Sequence, residues 1–402
     1  MFDYKLPSRR QLSGRLLDLI FKREMGRIIA LMSGVSGWAL VTDGWSNVNG
    51  DSIINFLEEA VGAGAVIAIV TDNAANMKKA WKLVRMERKG MVCTGCAAHG
   101  MDLLIKDIFK MKFFKDVLDK AQALARFIRG RRGLWSRFRD TQKQLKKRGE
   151  KRRHVIAAIF SDTAFLRNYK GSDLEEATKT FKDEEFWQDA AVTVAIIRPI
   201  NTSLAAFERD DCSISLVYHQ FSWLRTHDAY TKSLDGCSAE LQLQVLRAIE
   251  DRKKKICWKP LGIAHMLDQT KSMDGHNSKK LIADATELAR KLELVDRSQE
   301  DTFHNKLQEF VLEKCSWKGT ERLDNNRFSP LNWWSLPDTK YRLVQSFAKL
   351  LLSIPTSSAS SERSWSIHEF IHTKLRNRLT PERVSRLVFV YTNIARKTEQ
   401  RR

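Results

Sequence analysis

Two aspartates each follow an apolar run, and carboxylates at such positions could carry out phosphate chemistry. Asp43 follows the apolar run 38–41, and Asp72 follows the apolar run 66–70. Unbroken apolar runs of this length predict strands buried on both faces, and in open α/β sheets the chemistry collects beyond the carboxyl ends of such strands. Carboxylates from separate elements can hold two divalent ions roughly 3.5–4 Å apart, which clamp the attacking and leaving oxygens of a phosphoryl transfer.

A second interpretation stays open for Asp72. The residues from Ala74 to Val84 follow a helical pattern, and an aspartate just before a helix is often only its N-cap. Chemistry and capping are both compatible with the residue type at this position.

A serine-rich segment near the carboxyl terminus supplies further motifs. Residues 354–363 read IPTSSASSER, and residues 376–382 read RNRLTPE. The stretch 333–391 resembles the C-terminal dimerisation region of hAT-superfamily transposases. The sequences TDGWS at 42–46 and TDNAAN at 71–76 resemble the two Asp motifs of that family, in the same order.

The resemblance implies a DDE-type DNA transposase with three catalytic carboxylates. They would be Asp43, Asp72 and Glu362, which would also bind Mg²⁺ or Mn²⁺ in an active enzyme. Glu362 has its own alternative, because a glutamate in the first turn of a helix is favoured by the helix dipole. Glu369 is close enough in sequence to be a rival candidate.

Cysteine and histidine residues form a short cluster after the second aspartate. Cys93, Cys96 and His99 are three soft ligands without a clear fourth, so a structural zinc site is not expected. Cys96 and His99 are instead similar to the family's Cys-x-x-His motif, whose histidine lies near the active site. The alternative is a histidine at the start of a helix. Six cysteines in a chain of this length predict free thiols.

The charge of the chain favours polyanionic partners. Its 69 Lys and Arg against 48 Asp and Glu give a net charge of +21, and the hydrophobic fraction of 43% is that of a globular protein. No apolar run approaches membrane-span length, so a soluble, intracellular protein without a membrane role is expected. The predicted nucleic-acid contacts are Arg129, Arg131, Arg132, Arg137, Lys146, Lys147, Arg148, Arg152 and Arg153. A solvated helix face and a nuclear-import signal are the alternatives.

The expected fold is α/β plus all-α. Strands are predicted at 38–42, 52–57, 65–71 and 90–94, with helices at 74–86 and 98–128. Residues 318–337 are predicted to be a loop, followed by three helices. The resemblance implies an incomplete ribonuclease-H-like layer interrupted by a helical insertion. The predicted domains are a helical lead at 1–36, the layer with both Asp motifs at 37–153, an all-α insertion at 154–315 and the dimerisation region at 316–402.

The last predicted helix carries an apolar stripe that must be buried. Thr380 can cap this helix, and Pro381 suits its first position. The stripe consists of Val384, Leu387, Val388 and Tyr391. It could be buried inside the monomer, but the resemblance favours burial against a second copy of the chain.

Two regions are shorter than the resemblance implies. A ribonuclease-H-like core needs on the order of 35 residues between its first two catalytic positions, and the chain offers only Gly44–Gly64. The family's Thr-Arg-Trp segment is absent near Lys151–Val155, and Trp135 and Trp187 are expected to be packing residues. The chain also starts without a Cys/His zinc finger.

These observations predict an hAT-transposase-derived nuclear protein that dimerises, binds nucleic acid and is catalytically impaired. An active DDE-type transposase that performs two-metal strand cleavage and transfer is the first alternative. A helical protein-interaction module without a nucleic-acid role is the second.

Overall fold

The computed structural model describes most of the chain and divides it into two compact units. The described residues are 8–32, 37–42, 66–88, 90–146, 152–162, 166–209, 212–257, 259–337, 339–371 and 379–399. Unit 1 comprises Met1–Gly100, Leu204–Gln220 and Lys254–Arg402, and unit 2 comprises Met101–Ser203 and Phe221–Lys253. Each unit is therefore built from separate stretches of chain.

Helices dominate the described residues. The strands are β1 (Trp38–Val41), β2 (Val66–Thr71) and β3 (Val92–Gly95). The helices are α1 (Arg9–Gln11), which runs through a π-helical turn (Leu12–Leu16) into α2 (Leu17–Met32), α3 (Ala75–Glu87), α4 (Ala97–Ile108), α5 (Lys112–Arg129), α6 (Arg132–Lys146), α7 (Arg152–Phe160), α8 (Ser172–Lys182), α9 (Glu184–Phe207), α10 (Ile214–Thr226), α11 (Asp228–Thr231), α12 (Ala239–Ile256), α13 (Lys259–Leu267), α14 (Ser278–Lys291), α15 (Glu300–Ser316), α16 (Gly319–Asn326), α17 (Pro330–Trp333), α18 (Arg342–Leu352), α19 (Ala359–Ile371) and α20 (Pro381–Glu399), with a 3₁₀ turn at Arg297–Gln299.

The strands form one parallel sheet in the order β1-β2-β3. The predicted strands at 38–42, 65–71 and 90–94 are confirmed, and the predicted strand at 52–57 lies outside the described residues. The middle strand is the most buried, since five of its six residues are buried, whereas the residues of β1 are half-buried. Val66, Ile69 and Met91 form a small core with Leu40 and Val84.

The helix predicted at 98–128 is broken into two. α4 ends at Ile108, and α5 begins at Lys112 after Met111 takes an extended conformation. Phe114 is fully buried just after this break, with its ring against Phe109 and Phe113. The turn therefore places the large Phe114 side chain in the core. No glycine or proline marks this break in the sequence.

Unit 2 is helical throughout its described residues. Its core lies between α5, α6, α7 and α8, and consists of Leu124, Phe127, Ile128, Leu134, Ile159, Phe160 and Ala177. Trp135 and Trp187 pack against this core, as expected for packing residues. In the described part of 154–315 every regular element is a helix apart from the isolated bridge at Ser213, so the all-α prediction is confirmed there.

The loop predicted at 318–337 was wrong, because this segment contains α16 and α17. Ser329 caps α17 by accepting a hydrogen bond from the Asn332 amide, and Pro330 occupies the first helical turn. The Trp333 indole donates to Asn325 Oδ1 at 2.8 Å, and the Trp334 indole donates to the Leu267 carbonyl at 2.8 Å. Side-chain hydrogen bonds of this kind hold both short helices in place. The three helices predicted after this segment are confirmed as α18, α19 and α20.

The N-terminal helix α2 packs against the last helix of the chain. The rings of Phe21 and Phe389 meet edge to face with centroids 5.1 Å apart, and Arg386 Nη1 lies 2.5 Å from Asp18 Oδ1. The helical prediction for the lead is confirmed, and its position against α20 could not be derived from the sequence.

One helix of the described part is long and apolar enough to cross a membrane by length and composition, namely α9 with 24 residues. The expectation that no segment reaches this length does not hold for α9. Its residues Phe186, Ile196 and Ile200 are buried within unit 2, and Pro199 lies inside the helix.

Candidate functional site

Asp72 lies at the carboxyl end of the middle strand, as predicted. Its Oδ1 accepts a hydrogen bond from the Ala74 amide at 3.1 Å, which closes a local turn. The N-cap of α3 is Ala74 and not Asp72, so the simple capping interpretation is wrong. Asp43 lies outside the described residues, but the Thr42 amide just before it donates to the Val70 carbonyl at 2.9 Å. β1 therefore delivers the chain beside the end of β2.

Asn73 joins this turn to the end of the next strand. Its Nδ2 donates to the Cys96 carbonyl at 2.8 Å. A Cβ atom at Gly95 would lie 2.0 Å from Asn73 Oδ1, so only glycine allows this close approach. The sequence Thr-Asp-Asn thus packs directly on the junction between β3 and α4.

Cys96 is the hub of the site. Its amide donates to the Thr71 carbonyl at 2.6 Å, next to Asp72. Its fully buried sulfur accepts two backbone hydrogen bonds, from the His99 amide at 3.3 Å and from the Ser358 amide at 3.3 Å. The first bond caps α4, and the second ties down a segment 262 residues away in sequence.

The serine-rich segment is held against this hub by its backbone. The Ala97 amide donates to the Thr356 carbonyl at 2.8 Å, and the Thr356 hydroxyl donates to the Phe207 carbonyl at 2.8 Å. Ser358 Oγ lies 3.5 Å from Glu362 Oε1 in the first turn of α19. Glu362 is exposed, as is its rival Glu369 two turns further along.

The structure therefore links the segments that carry Asp72, Cys96 and Glu362 through a continuous chain of hydrogen bonds. The two described carboxylates are hard oxygen donors of the kind that Mg²⁺ prefers. Among the described residues, however, no group of three or more His, Cys, Asp or Glu side chains is placed to hold a metal ion. Cys93 is a buried free thiol whose pKa is raised by burial, against the opposing charge of Arg85.

Three of the nine predicted nucleic-acid contacts pair with carboxylates, although their side chains stay partly exposed. Arg131 pairs with Asp173 at 3.0 Å, Arg137 pairs with Asp162 at 2.5 Å, and Arg153 pairs with Glu184. Arg129 and Arg132 are exposed. Lys146 and Arg152 belong to α6 and α7, but their side chains are not described, and Lys147 and Arg148 lie outside the described residues.

The predicted dimerisation stripe is partly buried within the chain. Val384 is buried, Leu387 and Val388 are half-buried, and Tyr391 is exposed. Phe370 of α19 lies 6.2 Å from the Tyr391 ring. The exposed apolar side chains of these two helices are Trp365, Phe370, Tyr391 and Ile394. Sequence reasoning missed Trp365 and Phe370, because their spacing on α19 follows no regular stripe.

Comparison with known families agrees with these motifs. Residues 306–394 match the hAT family C-terminal dimerisation region, and residues 57–124 match a domain of unknown function, DUF659, found in hAT-family transposases. No curated protein matches the chain. The first match covers α18, α19 and most of α20, so the chain is a transposase-like protein that self-associates. The two matches together support an hAT-superfamily transposase.

Proposed function

We propose that this protein dimerises through the exposed face of α19 and α20, binds nucleic acid in the nucleus, and is catalytically impaired. The observation that carries the proposal is the group of exposed aromatic side chains within the matched dimerisation region. Trp365 is 43% exposed, Phe370 62% and Tyr391 49%. Aromatic side chains in such numbers are typical of protein interfaces and uncommon on free surfaces.

Sedimentation at micromolar concentration tests the dimer. We expect the wild type to be dimeric. The double variant Trp365→Glu/Phe370→Glu should have a dimer dissociation constant at least about tenfold higher. Leu243→Glu is the matched control, since Leu243 is 42% exposed but lies in unit 2, outside the matched region. A monomeric wild type, or a double variant that dimerises as well as the control, would count against the proposal.

The charge of +21 supports the nucleic-acid partner. We expect retention on DNA at low salt and a steep loss of affinity as salt rises, because cation contacts release counterions from the phosphates. Weak, salt-insensitive binding would argue instead for the helical interaction module. The basic cluster that ends at Arg153 also motivates nuclear localisation, which imaging of a fluorescent fusion would test.

Impairment follows from the short connection between the first two strands. Residues 43–65 connect two adjacent parallel strands, and a full ribonuclease-H-like layer places two further strands and a helix in that connection. We infer that β1, β2 and β3 are the parallel part of such a layer, with the rest shortened. Catalysis needs carboxylates held to about half an ångström, so a shortened layer weakens it.

An active transposase is the second candidate, favoured by the hydrogen-bond chain from Asp72 to Glu362. It predicts nicking of duplex DNA in Mg²⁺ or Mn²⁺ that disappears in Asp72→Asn and in Glu362→Gln. Glu369→Gln is the control and should nick at the wild-type rate. Nicking that survives Asp72→Asn would remove this assignment, and the absence of any wild-type nicking with intact DNA binding would support impairment.

A further inference from the structure

The cations at the junction of α5 and α6 differ in what surrounds them. Arg131, Arg137 and Arg153 each lie within 4.0 Å of a carboxylate, which offsets part of their positive charge at the surface. Among the described residues, no Asp or Glu lies within ion-pair distance of Arg129, Arg132 or Arg139. Lys143 reaches Asp140 only at the 4.0 Å limit.

These cations form a line along α6. Arg132, Arg139 and Lys143 are separated by seven and four residues, and Ser136 fills the position between the first two. At 100° per residue all four positions fall within about 60° of one another, on the face opposite Leu134, which is fully buried. The line is about 16 Å long, which corresponds to the axial rise of about five base pairs of a duplex.

An indole ring holds part of this line in place. The guanidinium carbons of Arg129 and Arg139 lie 5.6 and 5.9 Å from the centroid of the Trp135 ring. Trp135 is itself stacked on Phe138 at 5.6 Å with an interplanar angle of 9°. A cation–π contact orients an arginine without neutralising it, so less side-chain entropy is lost when the arginine binds an anion.

We propose that Arg129, Arg132, Arg139 and Lys143, here called the basic stripe, form a sequence-independent docking site for the phosphate backbone of a polynucleotide. The inference rests on the proposed function in taking nucleic acid as the partner, and it adds which cations make the contact. Three of the nine contacts predicted from sequence, namely Arg131, Arg137 and Arg153, then form ion pairs within the protein and do not contact phosphates. Arg139 and Lys143 contact the phosphates in their place.

A pair of charge-matched variants tests the stripe in the full-length protein. The first is Arg132→Gln/Arg139→Gln/Lys143→Gln, and the second is Arg131→Gln/Arg137→Gln/Arg153→Gln. Each lowers the formal charge by the same amount. Binding to a random-sequence 20-base-pair duplex would be followed by fluorescence anisotropy over a series of NaCl concentrations, with circular dichroism as a check on folding.

We expect the stripe variant to reduce the slope of log K against log [NaCl] by about 2.7, since each lost phosphate contact removes about 0.9. Affinity near 0.1 M salt should fall on the order of 10²-fold. The paired-arginine variant should keep the wild-type slope. Single-stranded DNA and double-stranded RNA of the same length distinguish the polynucleotide sources, and a backbone site should bind all of them.

Equal losses in the two variants would overturn the inference, because only net charge would then matter. Binding of an acidic polypeptide as tightly as of the duplex would also overturn it. A wild type that binds no nucleic acid in about 20 mM NaCl would defeat the proposed function itself, which is a different result from a failed stripe. If the triple variant does not fold, Arg132→Gln and Arg139→Gln carry the test singly, each with an expected slope change of about 0.9.

Discussion

Cys96 shows how one residue can serve both local and distant structure. A cysteine followed three residues later by a histidine invites a ligand or catalytic interpretation. The structure gives the sulfur a different task, since it accepts the amides of His99 and Ser358 while fully buried. The position thereby sets where the first turn of α19, with Glu362, lies relative to the end of β2.

Replacing Cys96 tests that task. Cys96→Val replaces the sulfur by two methyl groups, so two buried amides lose their acceptor, and each orphaned donor costs about 1–3 kcal/mol. Sulfur is a weak acceptor, so we expect a total loss near the lower end, about 2 kcal/mol, in the free energy of unfolding measured with denaturant. Cys96→Ser should keep most of the stability. Unchanged hydrogen exchange of the His99 and Ser358 amides in Cys96→Val would contradict this view.

Glu293 has a strained backbone conformation. It follows α14 with φ of 57°, a left-handed conformation that favours glycine. We expect Glu293→Gly to raise the free energy of unfolding by about 0.5–1 kcal/mol, after the entropy that glycine adds to the unfolded chain. Arg290→Gly in the last turn of α14 is the control and should lower it by about 1 kcal/mol. Chemical denaturation of both variants decides the sign.

At the scale of elements, the carboxyl end of α13 depends on one side chain of α15 and on one that directly follows α17. Lys314 Nζ of α15 donates to the Met266 carbonyl at 2.9 Å and to the His265 carbonyl at 3.4 Å. The Trp334 indole N–H donates a hydrogen bond to the Leu267 carbonyl. These are the carbonyls that a helix end leaves without partners. Three consecutive orphaned carbonyls are thus satisfied by Lys314 and Trp334, which lie 48 to 67 positions away in sequence.

Burial of Lys314 predicts a pH dependence of stability. Desolvation lowers its pKa from 10.5 to about 7, and the charge of Asp268 opposes this. Between these values the unfolded chain binds a proton that the folded chain has released, so stability rises with pH and levels off above 10.5. We expect a gain of about 2–3 kcal/mol from pH 7 to pH 9 that is missing in Lys314→Met. The prediction would be refuted if the free energy of unfolding, measured with urea, rose equally with pH in the wild type and in Lys314→Met.

The elements also show where sequence patterns succeed and fail. β1 and β2 were predictable because each is a short apolar run followed by Thr-Asp, and runs of this length favour buried strands over helices. The break between α4 and α5 was not, since the burial of Phe114 determines it and no glycine or proline marks it. The segment of α16 and α17 has the sequence pattern of a loop, because glycine and proline are common in loops. Gly319 and Pro330 are instead the first residues of these two helices.

At the scale of the whole molecule, the excess of positive charge acts on folding as well as on binding. A net charge of +21 in one chain repels itself, and added salt screens that repulsion beyond a Debye length of about 10 Å at 0.1 M. Salt also weakens the surface ion pairs, but each of those is worth only about 0–1 kcal/mol. We therefore expect the melting temperature to rise between about 20 and 300 mM NaCl. A fall in differential scanning fluorimetry would show that the ion pairs prevail.

The sequence by itself determined the three strands, most of the helices and the charge, and its motifs gave the resemblance to hAT transposases. The strands, helices and charge follow from local composition and spacing, which a single chain displays directly. Only the tertiary structure decided that Cys96 holds Ser358, that α2 packs on α20, and which arginines are already paired. Such contacts join residues up to several hundred positions apart, and their partners are selected by packing and by the need to satisfy buried polar groups, which no local pattern encodes.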